Sequence, residues 1–248
     1  MNAIYILWLR QLKRHFRSRA RMIGSLGQPL LFLVALGFGF GPIYQRAGGG
    51  NYIQFLAPGI IAMSILFTAV FTGMEIIWDR QFGFLKETLV APVSRFHIMA
   101  GKTLGGATVA TLQGIIVFFL SMLAGFRPEY IVMLPLAFLF MFFISLLFTA
   151  LGISIASLLE DMQAFPLIMN FIIMPLFFLS GALFPLQGLP KAIGVVASVN
   201  PLSYGVDGLR GTLVNGASFG LHVDFMVLGI ITAILILIGS YLFSKIEV

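Results

Sequence analysis

Six stretches of at least twenty residues without a charged side chain constrain this sequence most. A charge at the centre of a lipid bilayer costs about 2.5–3.5 kcal/mol, so a membrane span is nearly free of charges. About 20 apolar residues cross the bilayer core as a helix, whereas barrel strands are shorter and alternate in polarity. The stretches cover 22–45, 47–74, 103–126, 130–159, 162–190 and 225–244. They predict an all-α membrane protein with six transmembrane helices.

Basic residues around these stretches predict the orientation. We place the spans at about 22–45, 55–77, 101–125, 131–157, 164–184 and 225–244 of a single transmembrane domain, 1–248. Six spans put both termini on one side. Of the 15 Lys and Arg residues, only Arg46, Arg127, Lys191 and Arg210 fall on the other side. Because cytoplasmic segments carry the excess of Lys and Arg, we expect a multi-pass protein of the cell membrane with both termini cytoplasmic.

The net charge and the cysteine count limit the kinds of partner and the kinds of chemistry that this sequence supports. A charge of +6 is explained by topology and by binding of anionic lipid head groups, so it does not require a nucleic acid. The sequence has no cysteine, which excludes disulfides and thiolate chemistry.

Residues 1–21 have the pattern of an amphipathic helix. Its apolar face comprises Tyr5, Trp8, Leu9, Leu12 and Phe16, and its basic face comprises Arg10, Lys13, Arg14, Arg17 and Arg21. Such a helix lies in the membrane interface with Trp8 at the depth of the head groups. A basic tail that only sets the topology is the simpler alternative, but it would not require an ordered apolar stripe.

The segment 78–95 gathers charges in a sequence whose charged fraction is only 10%. Helical periodicity predicts a short helix along the inner membrane face that ends before Pro92. Trp78, Phe82, Leu85 and Leu89 form its apolar seam, and Phe84 points away from that seam. Any cytoplasmic loop carries charges, but a docking surface for a second protein also explains the seam, the proline and the outward Phe84.

The region from Phe184 to Gly211 is the least regular. Pro185, Pro190 and Pro201 interrupt it, and its apolar piece 192–199 is too short to cross a bilayer. We expect short extracellular helices before the last span, within a re-entrant segment, 185–222. Asp207 and Arg210 are three residues apart and could pair on one helix face.

Motifs for chemistry within the chain are missing. Gly101-Lys102-Thr103 matches the end of a phosphate loop, but position 96 is Phe where that motif requires Gly. Lys102 is therefore interpreted as an interfacial anchor of span three. The three histidines show no metal-ligand spacing, so we predict no catalytic residue, no cofactor and no metal on this chain.

Two runs resemble ABC transporter permeases of the bacterial and archaeal drug and polysaccharide export type. The first is Glu75 to Lys102, in which the shared residues are Glu75, Asp79, Arg80, Gly83, Leu85, Leu89, Pro92, Val93, Ser94 and Arg95. The second comprises Phe184-Pro185, Leu189-Pro190, Asn200-Pro201-Leu202-Ser203-Tyr204 and Asp207-Gly208-Leu209-Arg210-Gly211, before the last span. Together with the six-span layout, the resemblance covers nearly the whole sequence.

The resemblance implies a homodimer, or a heterodimer with a similar permease, bound to two copies of a separate ABC ATP-binding subunit that holds ATP and Mg. The implied interface with that subunit, including a coupling helix, comprises Glu75, Asp79, Arg80, Phe82, Gly83, Phe84, Leu85, Glu87, Pro92 and Arg95. The N-terminal helix would add Trp8, Arg10, Arg14 and Arg17. The implied extracellular gate comprises Phe184, Pro185, Pro190, Asn200, Pro201 and Tyr204.

The predicted function is the permease subunit of an ATP-driven exporter of a hydrophobic or amphipathic substrate, such as a drug, a lipid or a lipid-linked glycan. A self-sufficient ion-coupled carrier or channel is the alternative. Such carriers commonly hold ionisable groups within their spans, and Glu75 is the only acidic residue that continues a predicted span. A membrane-embedded enzyme has no candidate residues.

Overall fold

The structure is a computed structural model that describes residues 3–48, 50–84, 90, 93–186, 190–214 and 216–245. Within these ranges the chain is helical and has no strand. The helices are α1 (Ala3–Arg17), α2 (Arg19–Arg46), α3 (Tyr52–Phe71), α4 (Met74–Gln81), α5 (Arg95–Leu123), α6 (Leu134–Ala156), α7 (Ala164–Phe178), α8 (Lys191–Val199), α9 (Pro201–Val214) and α10 (Leu221–Ser244). The predicted all-α class is confirmed.

In the part of the chain that the structure describes, five helical stretches are long and apolar enough to cross a membrane. They are Met22–Arg46, Tyr52–Gln81, Arg95–Leu123, Ile131–Ala156 and Leu221–Ser244. The apolar helix at the predicted span five, α7, has only 15 residues and ends at Phe178 rather than 184. At 1.5 Å per residue it is about 22 Å long, short of a bilayer core of about 30 Å.

The helix α3 lies at the centre of the bundle. It contacts α2, α5, α6 and α9, and every residue from Leu56 to Leu66 is buried. Because α3 is apolar on all sides, it can be enclosed by neighbours on all sides. The helix α1 packs on α5, and α10 packs on α6 and α9. We call the end of the bundle that carries α1 the α1 end, and the opposite end, which carries α8 and α9, the α9 end.

The helix that periodicity predicts from Trp78 to just before Pro92 is not continuous. Residues 78–81 continue α4, which ends at Gln81, and Gly83 adopts a φ of 78°. A left-handed backbone is favourable for glycine and ends a helix. The predicted seam from Trp78 through Phe82 is therefore broken at Gly83, and its continuation at Leu85 and Leu89 lies outside the described residues.

Candidate functional site

A cluster of five charged side chains joins three helices at the α1 end. Arg10 and Arg14 come from α1, Glu75 and Asp79 from α4, and Lys102 from α5. Glu75 and Asp79 are four residues apart, so both carboxylates lie on the same face of α4. That face is turned inward, and both residues are buried.

Asp79 is the centre of this charged cluster. Lys102 Nζ donates to Asp79 Oδ2 at 2.7 Å, and Arg10 Nη2 donates to Asp79 Oδ1 at 3.1 Å. Arg14 Nη1 lies 3.6 Å from Glu75 Oε2 and 3.8 Å from Asp79 Oδ1. The Arg14 guanidinium also lies 5.2 Å from the centre of the Trp78 ring. The cluster ties α1 to α4 and α5 through charge-assisted hydrogen bonds, which are stronger than neutral ones.

Lys102 is not the interfacial anchor that the sequence suggested. Its side chain is only 4% exposed, because α1 covers this face of α5. A buried ammonium requires a counter-charge, and Asp79 provides it. The two residues are 23 positions apart in sequence, and periodicity alone gave no reason to pair them.

The N-terminal helix packs against protein with a side that the sequence did not single out. The side chains of Gln11 and His15 are buried, and Trp8 Nε1 donates to Thr108 Oγ1 at 3.0 Å. Tyr5 and Phe16, which the sequence places on the apolar face directed at the membrane, are about half exposed. The helix therefore has a protein-facing side and a neighbouring apolar side that is open to the surroundings.

Glycine at position 105 sets the close approach of α1 to α5. A Cβ atom there would lie 2.6 Å from Gln11 Cγ and 2.7 Å from Gln11 Cβ. Real Cβ atoms do not approach other carbons this closely, so any larger residue would push α1 away from α5. The position of α1, and with it the charged cluster, depends on this glycine.

An open groove of about 580 Å³ runs between α1 and the chain after α4. Its basic residues are Arg10, Lys13, Arg14 and Arg17, and its aromatic residues are Trp78, Phe82 and Phe84. Phe82 is 70% exposed and Phe84 is 50% exposed. Large exposed apolar side chains beside concentrated charge are typical of surfaces that bind another protein.

The remaining predicted interface residues divide into three groups. Arg80 Nη2 donates to Glu160 Oε1 at 2.7 Å, and this pair links α4 to the turn after α6. Arg95 is the first residue of α5, directly after Ser94, whose side chain accepts a hydrogen bond from the backbone of His97. Leu85, Glu87 and Pro92 lie outside the described residues.

At the α9 end, the non-helical chain after α7 is buried in protein. Ser180, Ala182 and Leu183 are at most 3% exposed. Non-helical backbone at membrane depth is tolerated only where protein or an aqueous cavity satisfies its polar groups. Here Asn200 Nδ2 donates to Leu176 O at 2.6 Å, and Tyr52 Oη donates to Leu183 O at 3.1 Å.

Arg210 is the third side chain that holds this segment. Its Nη2 donates to Gly181 O at 3.0 Å, and its guanidinium lies 4.0 Å from the centre of the Phe55 ring. Burial lowers the pKa of Arg210 to about 10, so it remains charged at neutral pH. Asp207, the suggested partner of Arg210, instead accepts hydrogen bonds from the backbone of Ser218 and Phe219 at 2.8–2.9 Å.

The predicted gate residues surround the same segment. Pro190 precedes α8, Asn200 separates α8 from α9, and Pro201 begins α9. Tyr204 Oη donates to Ser198 O at 2.7 Å, which holds α9 against α8. Phe184 is 55% exposed, and Pro185 lines a small cavity with Arg210.

The family model that matches this chain is "ABC-2 type transporter", and it covers residues 2–214. The chain belongs to the ABC-2 type transporter family. It is therefore the transmembrane permease subunit of an ABC transporter, and the family implies an ATP-binding partner. Proteins of this family are membrane subunits, typically without an ATPase site.

Curated relatives of this ABC-2 permease are similar over most of their length. The transport permease ycf38 of Cyanophora paradoxa is 28% identical over 99% of this chain and 89% of its own length. Nodulation protein J of Rhizobium leguminosarum bv. viciae is 28% identical over 92% of this chain and 91% of its own. The ycf38 permease of Pyropia yezoensis is 31% identical over 79% of this chain and 68% of its own.

One buried acid of this ABC-2 permease was missed by sequence reasoning. The last span was predicted to begin at 225, directly after Asp224, but α10 begins at Leu221. Asp224 therefore lies inside the helix and is 0% exposed. Neither of its carboxylate oxygens has a hydrogen-bond partner among the described residues. The predicted spans were bounded by charged residues, so Asp224 was placed outside the last span and could not be identified as buried.

Proposed function

We propose that this ABC-2 permease is the membrane subunit of an ATP-driven exporter in the cell membrane, with both termini cytoplasmic. It acts as a homodimer with two copies of the ATPase subunit, which bind ATP and magnesium. The cargo is a hydrophobic or amphipathic molecule, such as a drug, a lipid or a lipid-linked glycan. The family and the excess of basic residues on the side of the termini support this proposal.

The groove between α1 and the chain after α4 gives the main support for this proposal. We infer that the ATPase subunit docks there, with an apolar surface against Phe82 and Phe84 and acidic groups opposite Lys13 and Arg17. Arg10 connects this surface to the buried cluster, because it lines the groove and also donates to Asp79. Closure of the ATPase subunits would then move α1, α4 and α5 together.

The test is co-purification of the ATPase subunit with permease variants. The double variant Phe82→Ser, Phe84→Ser should lose most of the bound ATPase and of the ATP turnover of the complex. The few residues that dominate a protein interface, which are often aromatic, contribute about 2 kcal/mol or more each. The matched control is Phe119→Ser on α5, where the aromatic ring is similarly exposed but lies far from the groove. Undiminished co-purification with the double variant would show that docking occurs elsewhere.

The alternative of a self-sufficient ion-coupled carrier does not agree with membership of the ABC-2 type transporter family. The buried acid in α10 raises a narrower question, because an ionisable residue within a span often marks an ion or proton pathway and Asp224 is 0% exposed. If ATP-driven transport used such a pathway, Asp224→Asn would abolish it. Transport that survives Asp224→Asn would show that it does not.

A further inference from the structure

A cavity of about 360 Å³ lies within a single copy of the permease, beside the charged cluster. Its walls come from α1, α2, α3, α4 and α5. Phe67, Phe71, Met63 and Met74 give it an apolar side. The cavity is therefore built from five helices and is not a gap between two side chains.

The other side of this cavity consists of hydroxyl and amide groups. They belong to Gln11, Ser25, Gln28, Ser64, Thr68 and Thr72. Ser64 is only 2% exposed, and its Oγ has no hydrogen-bond partner among the described residues. A buried hydroxyl without a partner costs free energy, and a ligand with a hydrogen-bonding head group would remove that cost.

Charge in the walls of the cavity is nearly absent. Among the described residues that line it, there is no Lys or Arg, Glu75 is the single carboxylate, and His15 is the other ionisable side chain. Arg14 Nη1 lies 3.6 Å from Glu75 Oε2 and offsets this charge from outside the cavity. A charged ligand would lose its hydration without gaining a free counter-charge, which is unfavourable.

We propose that this cavity binds an uncharged amphipathic molecule, with hydroxyl or amide groups of its head at Ser64 and Thr68 and its apolar part at Phe67 and Phe71. The interpretation of the cavity as a transport site rests on the function proposed above. Glu75 belongs to both the cavity wall and the charged cluster, so a bound molecule would be sensed directly by the helices that carry the docking groove.

The test uses Trp78, which lines the cavity, as its reporter. The sequence has two tryptophans, so Trp8→Phe leaves Trp78 alone. The purified permease, in phosphatidylcholine nanodiscs, is titrated with three brominated octyl probes below solubilising concentration. They carry a glucoside, a trimethylammonium or a sulfate head group, so only the charge and chemistry of the head differ. Bromine quenches tryptophan fluorescence at short range.

Saturable quenching by the glucoside, at lower concentration than by either charged probe, is the expected result. The double variant Ser64→Ala, Thr68→Val removes two hydroxyls with little change in volume. It should weaken glucoside binding about 25-fold, because two hydrogen bonds are lost and each accounts for roughly a fivefold change. Ser198→Ala, an exposed serine on α8 at the α9 end, is the matched control and should leave binding unchanged.

Two results would overturn the proposal. One is equal binding of a charged probe, which would refute the ligand class. The other is quenching that rises linearly with probe and is the same in the double variant, which would mean partition into the bilayer only. If Trp8→Phe folds poorly, the quenching of Trp78 is obtained by subtracting the quenching of the Trp78→Phe variant from that of the parent protein. Binding is measured on the permease alone, so a complex without ATP turnover would refute the proposed function and not this site.

Discussion

At the scale of single residues, the first prediction concerns the effect of substituting Asp79 on the stability of the protein. Asp79→Asn leaves the buried ammonium of Lys102 without a counter-charge, and we expect it to lower the free energy of unfolding by about 3 kcal/mol or more. Lys102→Met should cost less, because Arg10 still donates to Asp79 at 3.1 Å. Thermal unfolding of the two purified variants in detergent shows which of them loses more stability.

The matched control for this prediction is the exposed ion pair between Arg80 and Glu160. Glu160 has a side chain that is 78% exposed, so Arg80→Gln should change stability by about 1 kcal/mol at most. A larger loss of stability in Arg80→Gln than in Asp79→Asn would contradict the assignment of the buried cluster as a structural link between α1, α4 and α5.

At the scale of elements, the close contact between α1 and α5 gives the second prediction. Gly105→Val should separate the two helices, because a Cβ there would lie 2.6 Å from Gln11 Cγ. We expect faster tryptic cleavage after the basic residues of α1, together with less bound ATPase subunit. Gly39→Val is the control, since a Cβ at that glycine would meet nothing within 4 Å. Equal cleavage rates in the two variants would show that α1 is not held by this contact.

The elements also show what periodicity can and cannot predict. Charge spacing and apolar patterning predicted the existence of α1, the apolar helices and the short helices α8 and α9. They did not predict which face of α1 is buried, because that depends on Gly105 and Lys102 of another helix. The end of α4 was missed for a related reason, since the turn at Gly83 depends on backbone conformation and not on hydrophobicity. The docking residues stay a prediction, and two of them, Glu75 and Asp79, are turned inward.

At the scale of the whole molecule, one apolar surface needs a cover that the single chain does not provide. Phe32 of α2 and Phe177 of α7 have ring centres 6.4 Å apart, so the two helices meet at this point. Phe171 of α7 is 82% exposed, and only 17% of the apolar window of α2 is buried. This face is apolar over two helices, so either lipid or a second copy of the permease can cover it.

This surface leads to the third prediction, that a second copy of the permease covers α2 and α7. The sequence has no cysteine, so a cross-linker that reacts with thiols can react only with a cysteine that is introduced. Phe171→Cys should give a covalent dimer with a short bis-maleimide in native membranes. Leu237→Cys on α10 is the control, because its side chain is 64% exposed on a helix that is as open as α2. A dimer through Leu237→Cys and none through Phe171→Cys would place the partner on α10, and the open face of α7 would then be covered by lipid.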